Sequence, residues 1–149
     1  MELKPYTLKF SQAIDELPTA IAEKFRIVAG NDLKEMIKLR VQTGEDSEGG
    51  GFKPYAPLTV EIRQNKGMQT SFKDFTFTGE MWRKFGEKSF TATKNNASIT
   101  LGGTNADAEM KINDNTEREG KNIIEPSDEE IKYVEDFLIE EIDNYLSSL

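Results

Sequence analysis

The sequence predicts an α+β domain, an antiparallel β-sheet flanked by long N-terminal helices and a C-terminal helix, and three observations carry that reading. Apolar residues recur with a helical period through the first forty residues and again over the last twenty. Between these regions, over roughly residues 72–112, the period falls to two, as expected for three to five strands with one buried face. The length of 149 residues is that of a single domain, 1–149, large enough to bury a sizeable core.

Taken in order, Ile14, Leu17, Ile21, Phe25 and Val28 fall on one stripe of a first helix, and Pro18 fits its first turn if Asp15 or Glu16 lies near the start. Gly30-Asn31-Asp32 predicts a break or a bend, with Asn31 or Asp32 capping a second helix whose apolar face is Leu33, Met36, Ile37 and Val41. Residues 44–54 read as a mobile loop, because Gly49-Gly50-Gly51 among polar neighbours offers little to bury. Ala56 to Arg63 predicts a short helix with Pro57 in its first turn, ending by Gly67.

Phe75 and Phe77 alternate with threonines, Phe90 and Ala92 with Thr91 and Thr93, and Ala97, Ile99 and Leu101 with Ser98 and Thr100. These read as strands, and Lys94-Asn95-Asn96 supplies a tight hairpin turn. Thr78 to Phe85 admits either a helical turn or the start of a long strand. Residues 102–122, polar and anchored only by Met110 and Ile112, read as a second long loop. Ser127 followed by Glu130 is a capping-box pattern after Pro126, opening a helix with the stripe Ile131, Val134, Leu138, Ile142 and Tyr145. The expected core joins Phe75, Phe77, Phe90, Ile99 and Leu101 to Ile21, Phe25, Ile37, Val134 and Leu138.

Composition removes several kinds of chemistry. With no Cys and no His there is no disulfide, thiolate nucleophile, zinc finger or imidazole proton shuttle. Nineteen Lys and Arg stand against twenty-seven Asp and Glu, and the net charge of −8 disfavours a sequence-independent nucleic-acid binder in the absence of a basic cluster. Residues 127–149 carry eight acids against Lys132 alone, so their net −7 is nearly the whole charge of the chain. The simplest reading of this run is a solvated helix face with its first-turn acids at the positive end of the macrodipole. Met1 to Tyr6 lacks a basic region followed by an apolar stretch, and no run of about 18 apolar residues occurs, so a soluble protein made in the cytoplasm is expected.

The local motifs fail as active sites. Asn113-Asp114-Asn115-Thr116-Glu117 begins like a calcium loop, but Arg118 stands at its sixth position and Ile124 at its twelfth. Gly49-Gly50-Gly51 lacks the Lys-Ser/Thr sequel of a phosphate loop, and no hydroxyl has a His partner. Trp82 with Arg83, Lys84 and Phe85 could stack on a base, though a buried Trp with solvated cations at a sheet edge is the simpler reading. No catalytic residue, cofactor site or metal site is assigned.

The order of weaker motifs is nonetheless informative. Phe52-Lys53-Pro54-Tyr55-Ala56-Pro57-Leu58-Thr59 follows the Gly-rich stretch, then come Phe77-Thr78-Gly79-Glu80-Met81, a hairpin, Leu101-Gly102-Gly103-Thr104-Asn105, a polar loop and an acidic helix opened by Ser127-Asp128-Glu129-Glu130-Ile131. Over residues 10–149 this order resembles the virion morphogenesis, or tail-completion, family of tailed bacteriophages. Its motif positions here are Tyr55, Pro57, Leu58, Thr59, Thr78, Gly79, Gly103, Thr104 and Asn105. Tyr55 replaces the family's usual Trp, and Ala106-Asp107-Ala108-Glu109 with a His-less loop stands where Tyr-Ala and a His-containing turn are usual.

The resemblance implies a non-enzymatic virion protein, made in the host cytoplasm. It would form a homo-oligomeric ring, commonly sixfold, at the head–tail junction or tail end, where it meets other neck and tail proteins. Viral DNA would pass through the lumen without specific binding; six copies carry about −48, and like charge opposes adhesion. Glu45, Asp46, Ser47, Glu48, Gly49, Gly50, Gly51 and Phe52 are then candidates to order against a neighbouring subunit. The alternative is a soluble acidic module that mimics DNA charge with the helix of 127–149.

Overall fold

A computed structural model describes residues 6–11, 19–93 and 96–148. The fold is α+β as expected, but one strand of the sheet comes from residues 6–11, inside the stretch read as helical and outside the expected window of 72–112, because it pairs with Asn96–Leu101. Three antiparallel strands, β1 (Tyr6–Ser11), β2 (Phe85–Ala92) and β3 (Asn96–Gly103), lie in the order β1-β3-β2. The hairpin β2–β3 runs from Ala92 opposite Ala97 to Phe85 opposite Gly103, with a bulge between Glu87 and Ser89. Thr93 donates its N–H to the Asn96 carbonyl at 2.7 Å, closing the expected turn. Lys94 and Asn95 of that turn lie outside the described residues, as do Ile14, Asp15, Glu16, Leu17 and Pro18 of the first expected helix.

Helix α1 (Thr19–Ile27) runs through a π-helical segment (Val28–Leu33) into α2 (Lys34–Gln42). The expected cap at Asn31 or Asp32 is therefore absent: Ile27 and Leu33 on either side keep right-handed helical backbone, and Gly30-Asn31-Asp32 widens the helix by one turn instead of ending it. Asp32 accepts a hydrogen bond from the Tyr133 hydroxyl at 3.1 Å, tying the segment to the C-terminal helix. Ile21, Phe25, Val28, Leu33, Ile37 and Val41 form one continuous buried stripe, while Met36 is only half-buried.

Helix α3 (Pro57–Asn65) starts with proline in its first turn, as predicted. Thr78 to Phe85 resolves as a short helix α4 (Glu80–Arg83), with Gly79 at φ +82° before it and β2 directly after. Two strand and loop expectations are corrected here. Residues 75–77 form no strand, because the Asp74 carboxylate takes the Thr76 N–H at 2.8 Å and Phe75 adopts φ +55°, geometry that a ladder excludes. The expected loop of 102–122 holds helix α5 (Ala106–Glu119). The Asn105 side chain caps it by accepting the Ala108 N–H at 2.8 Å, and Gly120 ends it at φ +74°.

Helix α6 (Asp128–Ser147) begins with the full capping box. Ser127 accepts the Glu130 N–H, and Glu130 accepts the Ser127 N–H at 2.9 Å. Val134 and Leu138 are buried, with Ile142 and Tyr145 packed partly against the core. The helices and the β2–β3 hairpin meet around Phe25, Ile37, Ile99, Leu101, Ile123, Ile124 and Val134, each essentially inaccessible to water. Of the expected core, Phe75 and Phe90 are only partly buried and Phe77 is exposed, since its segment never joins the sheet. No helix among the described residues is long and apolar enough to cross a membrane.

Candidate functional site

The excursion between α2 and α4 is held by charge more than by apolar packing. Its first part falls in the loop of 44–54 expected from the sequence to be mobile, but residues 45–52 close on themselves. Glu45 and Gly51 form an isolated β-bridge, and the Asp46 carboxylate accepts the N–H groups of Glu48 and Gly50 at 2.9 and 2.8 Å. Lys121, just past the Gly120 cap of α5, donates to Asp46 and to the Gly51 carbonyl at 2.5 and 2.8 Å. That ammonium, with the two backbone donors, holds the Asp46 carboxyl below the usual carboxylate range. Phe52 packs edge-to-face on Phe75 at 4.9 Å, and Lys121 lies 5.0 Å from the Phe52 ring centroid. Ser47 reaches Glu125 at 3.5 Å, while Glu48 and Gly49 sit at the exposed tip. The loop thus finds its partners within its own chain; short-range composition could not reveal that one lysine seventy-five positions away would organise it.

The second part centres on Arg63, which is 2% exposed and is the one buried residue of α3. Its guanidinium donates to the carbonyls of Gln69 and Thr76 at 2.9 and 2.7 Å and to both Asp74 carboxylate oxygens at 3.3 and 3.4 Å. It also stacks 4.6 Å above the Tyr55 ring centroid. Asp74 further accepts from the Tyr55 hydroxyl at 3.0 Å and from Gln69 Nε2 at 2.9 Å, and its carbonyl accepts from Trp82 Nε1 at 3.1 Å. Burial, reinforced by the Asp74 charge, pushes the Tyr55 hydroxyl pKa up, so it stays a proton donor. Within the cluster the Asp74 carboxylate accepts from four donors, and Glu119, buried next door, accepts from Lys73 at 2.6 Å and the Lys53 N–H at 2.9 Å.

Between α3, the 73–79 segment and α5 runs an open groove of about 620 Å³. Tyr55, Thr59, Phe77 and Met81 line it, with Lys111 and Arg118 on the α5 side. Four of the motif positions, Tyr55, Thr59, Thr78 and Gly79, come together here. Gly79 is required by its left-handed backbone, and the Thr78 carbonyl accepts from Arg83 at 3.2 Å. Pro57 starts α3, and Leu58 points into solvent.

The remaining motif positions lie elsewhere and serve the fold. A Cβ at Gly103 would lie 2.6 Å from the Ala108 carbonyl carbon, so only glycine lets β3 run this close to α5. Thr104 bonds the Lys84 carbonyl through both its N–H and its hydroxyl, at 2.6 and 2.8 Å, and Asn105 caps α5. Among the described residues no group of three or more Asp or Glu side chains is placed to hold a metal ion. Trp82 is buried and Arg83 and Lys84 are exposed, on a helical turn beside the hairpin.

Sequence reasoning missed a third organising charge. Arg40 of α2 grips Glu130 of α6 through two bonds of 2.9 and 3.0 Å, and donates to the Glu45 and Glu125 carbonyls at 3.0 and 2.7 Å. The acids of α6 divide accordingly. Glu130 is buried, Glu141 pairs with Lys24 at 3.0 Å, and Asp128, Glu129, Glu135, Asp136, Glu140 and Asp143 are exposed. Comparison with protein-family models, with curated proteins and with solved structures gives no match to this chain.

Proposed function

We propose that this chain is a non-enzymatic structural protein of tailed-bacteriophage particles, forming a homo-oligomeric ring at the head–tail junction or tail end through which DNA passes. One observation carries the reading: the ordered set of weak motifs in the sequence, of which Tyr55, Thr59, Thr78 and Gly79 gather at a single groove beside an outlying helix. An outlying helix that buries only a paired arginine contributes little to the core and is well suited to meet a partner. The exposed acids of α6 suit a lumen that must not retain DNA.

The test is quantitative peptide mass spectrometry on purified particles of a tailed phage that encodes this chain, normalised to the portal protein. A copy number about half that of a twelvefold portal supports a sixfold ring. Absence from tailed particles overturns the reading and favours the acidic charge mimic, which titration against DNA-binding enzymes with a charge-reversed α6 then decides.

A further inference from the structure

The excursion of residues 53–78 is braced and fastened by two separate sets of bonds. The braces lie inside it. Arg63 joins α3 to the Gln69 and Thr76 carbonyls and to Asp74, and the Asp74 carboxylate takes the Tyr55 hydroxyl and the Thr76 N–H. The Met68 N–H closes the end of α3 on the Arg63 carbonyl at 2.9 Å. Each of these bonds begins and ends within the excursion, so none is lost if it moves as a body.

The fasteners to the rest of the molecule are different bonds. Glu119, the last residue of α5, accepts the Lys53 N–H on one carboxylate oxygen and the Lys73 ammonium on the other, so one side chain holds the excursion near both of its ends. That side chain is 1% exposed and sits at the negative end of the α5 macrodipole, where an acid is disfavoured unless a cation faces it. The Lys53 ammonium donates to the adjoining Arg118 carbonyl at 2.9 Å. On the α4 side the Trp82 indole N–H donates to the Asp74 carbonyl, and Gln42 of α2 reaches the Thr76 hydroxyl at 3.2 Å. Phe75 is the apolar anchor, packed against the core and edge-on to Phe52. It is held at φ +55°, a backbone conformation that bulky side chains rarely adopt, so the closed position carries strain at its anchor.

We propose that residues 53–78 form a hinged arm, latched by Glu119, that swings from the core in one piece with its Arg63 braces intact. Gly79, at φ +82° and without a Cβ, gives the backbone wide freedom at one end of the swing. Opening relieves the Phe75 backbone, frees the last turn of α5 and moves α3 as a folded helix. A partner that meets the released arm then has no helix to order. The inference goes beyond the ring reading and does not depend on it.

Hydrogen exchange followed by NMR on the full-length protein separates the two sets of bonds. The Lys53 amide and the indole N–H of Trp82, the sole tryptophan, report the contacts between arm and core. The Met68 and Thr76 amides report the braces. After correction for intrinsic rates, the first pair is expected to exchange at least about tenfold faster than the second, as sub-global opening of a folded unit requires. Glu119→Gln keeps an acceptor and removes the charge. It is expected to speed both members of the first pair about tenfold or more, as loss of a charged hydrogen bond does, and to leave the second pair unchanged. Arg63→Ala is expected to close the gap, because an arm without its brace melts.

One common rate for all four protons in the natural protein overturns the proposal, since the arm then opens only by melting. Glu119→Gln that speeds Lys53 alone overturns the swing in one piece, and Glu119→Gln that speeds neither contact overturns the latch. Should that variant not fold, Lys73→Met breaks the same pair from the side of the arm, with the same outcomes.

Discussion

Gly103 illustrates how much of a recognisable motif can be consumed by folding. Its missing Cβ lets the end of β3 pass against the first turn of α5, Thr104 fastens the same point to Lys84, and Asn105 starts the helix. Gly103→Ala must displace backbone rather than a flexible side chain, so a loss of about 1–3 kcal/mol in unfolding free energy is expected. Chemical denaturation checks this, and an unchanged midpoint and slope would contradict the close approach. Leu58 is the contrasting residue: nothing inside the protein explains an exposed leucine at that position. Both are positions in the motif order that carries the family resemblance, but sequence alone does not separate the one that packs from the one that does not. That difference depends on which element lies opposite.

At the scale of elements, α3 is fastened by a polar hub, and this shapes how it fails. Removing one partner of a buried ion pair costs about 3–5 kcal/mol when the surroundings stay closed. The excursion of residues 53–78 can instead open to water and leave the helical core intact, which limits the loss. Arg63→Ala is therefore expected to strip amide-exchange protection from 57–66 and to leave protection in α1 and α6 unchanged. Uniform loss of protection across all helices would mean that α3 is integral to the core.

Elements were legible in the sequence where their signals are local. Ser127 with Glu130, and Pro57 at the start of α3, mark helix ends by chemistry within one turn. Helix α5 was hidden because its inward positions are Ala108, Ile112, Thr116 and Glu119, helical in spacing but only half apolar. The bracketing pair Asn105 and Gly120 was its available signal. The alternation at Phe75 and Phe77 misled because a neighbouring aspartate competes for the very N–H that a strand would use.

For the whole molecule, the organising bonds are long in sequence: Asp46 to Lys121, Arg40 to Glu130, Arg26 to Glu87. No local pattern announces them, which is why the charge clusters went unread while the fold class did not. They also set the response to acid. Lys121 and Arg26 hold the Asp46 and Glu87 carboxyls below their ordinary pKa values, so the folded state binds fewer protons than the unfolded state as those groups titrate. Their contribution is fully present above about pH 5, clear of the unfolded carboxylate values, and is lost as pH falls through the depressed folded values. With no histidine in the chain, the thermal midpoint is expected to be nearly flat between about pH 6 and 8 and to fall below about pH 4. In Asp46→Asn the acid-side fall is expected to be shallower. An equally steep fall in that variant would show that the Asp46–Lys121 pair has no part in it.

The register of β1 against β3 has a consequence in time. Tyr6 is paired with Leu101, about 95 residues further along the chain. At a synthesis rate of about 5–20 residues per second, the first strand leaves the ribosome roughly 5–20 s before its partner exists. Throughout that interval the apolar stripe of α1 and α2 also lacks the hairpin that will cover it, so the nascent chain spends its most adhesive moments before its acidic end has been made.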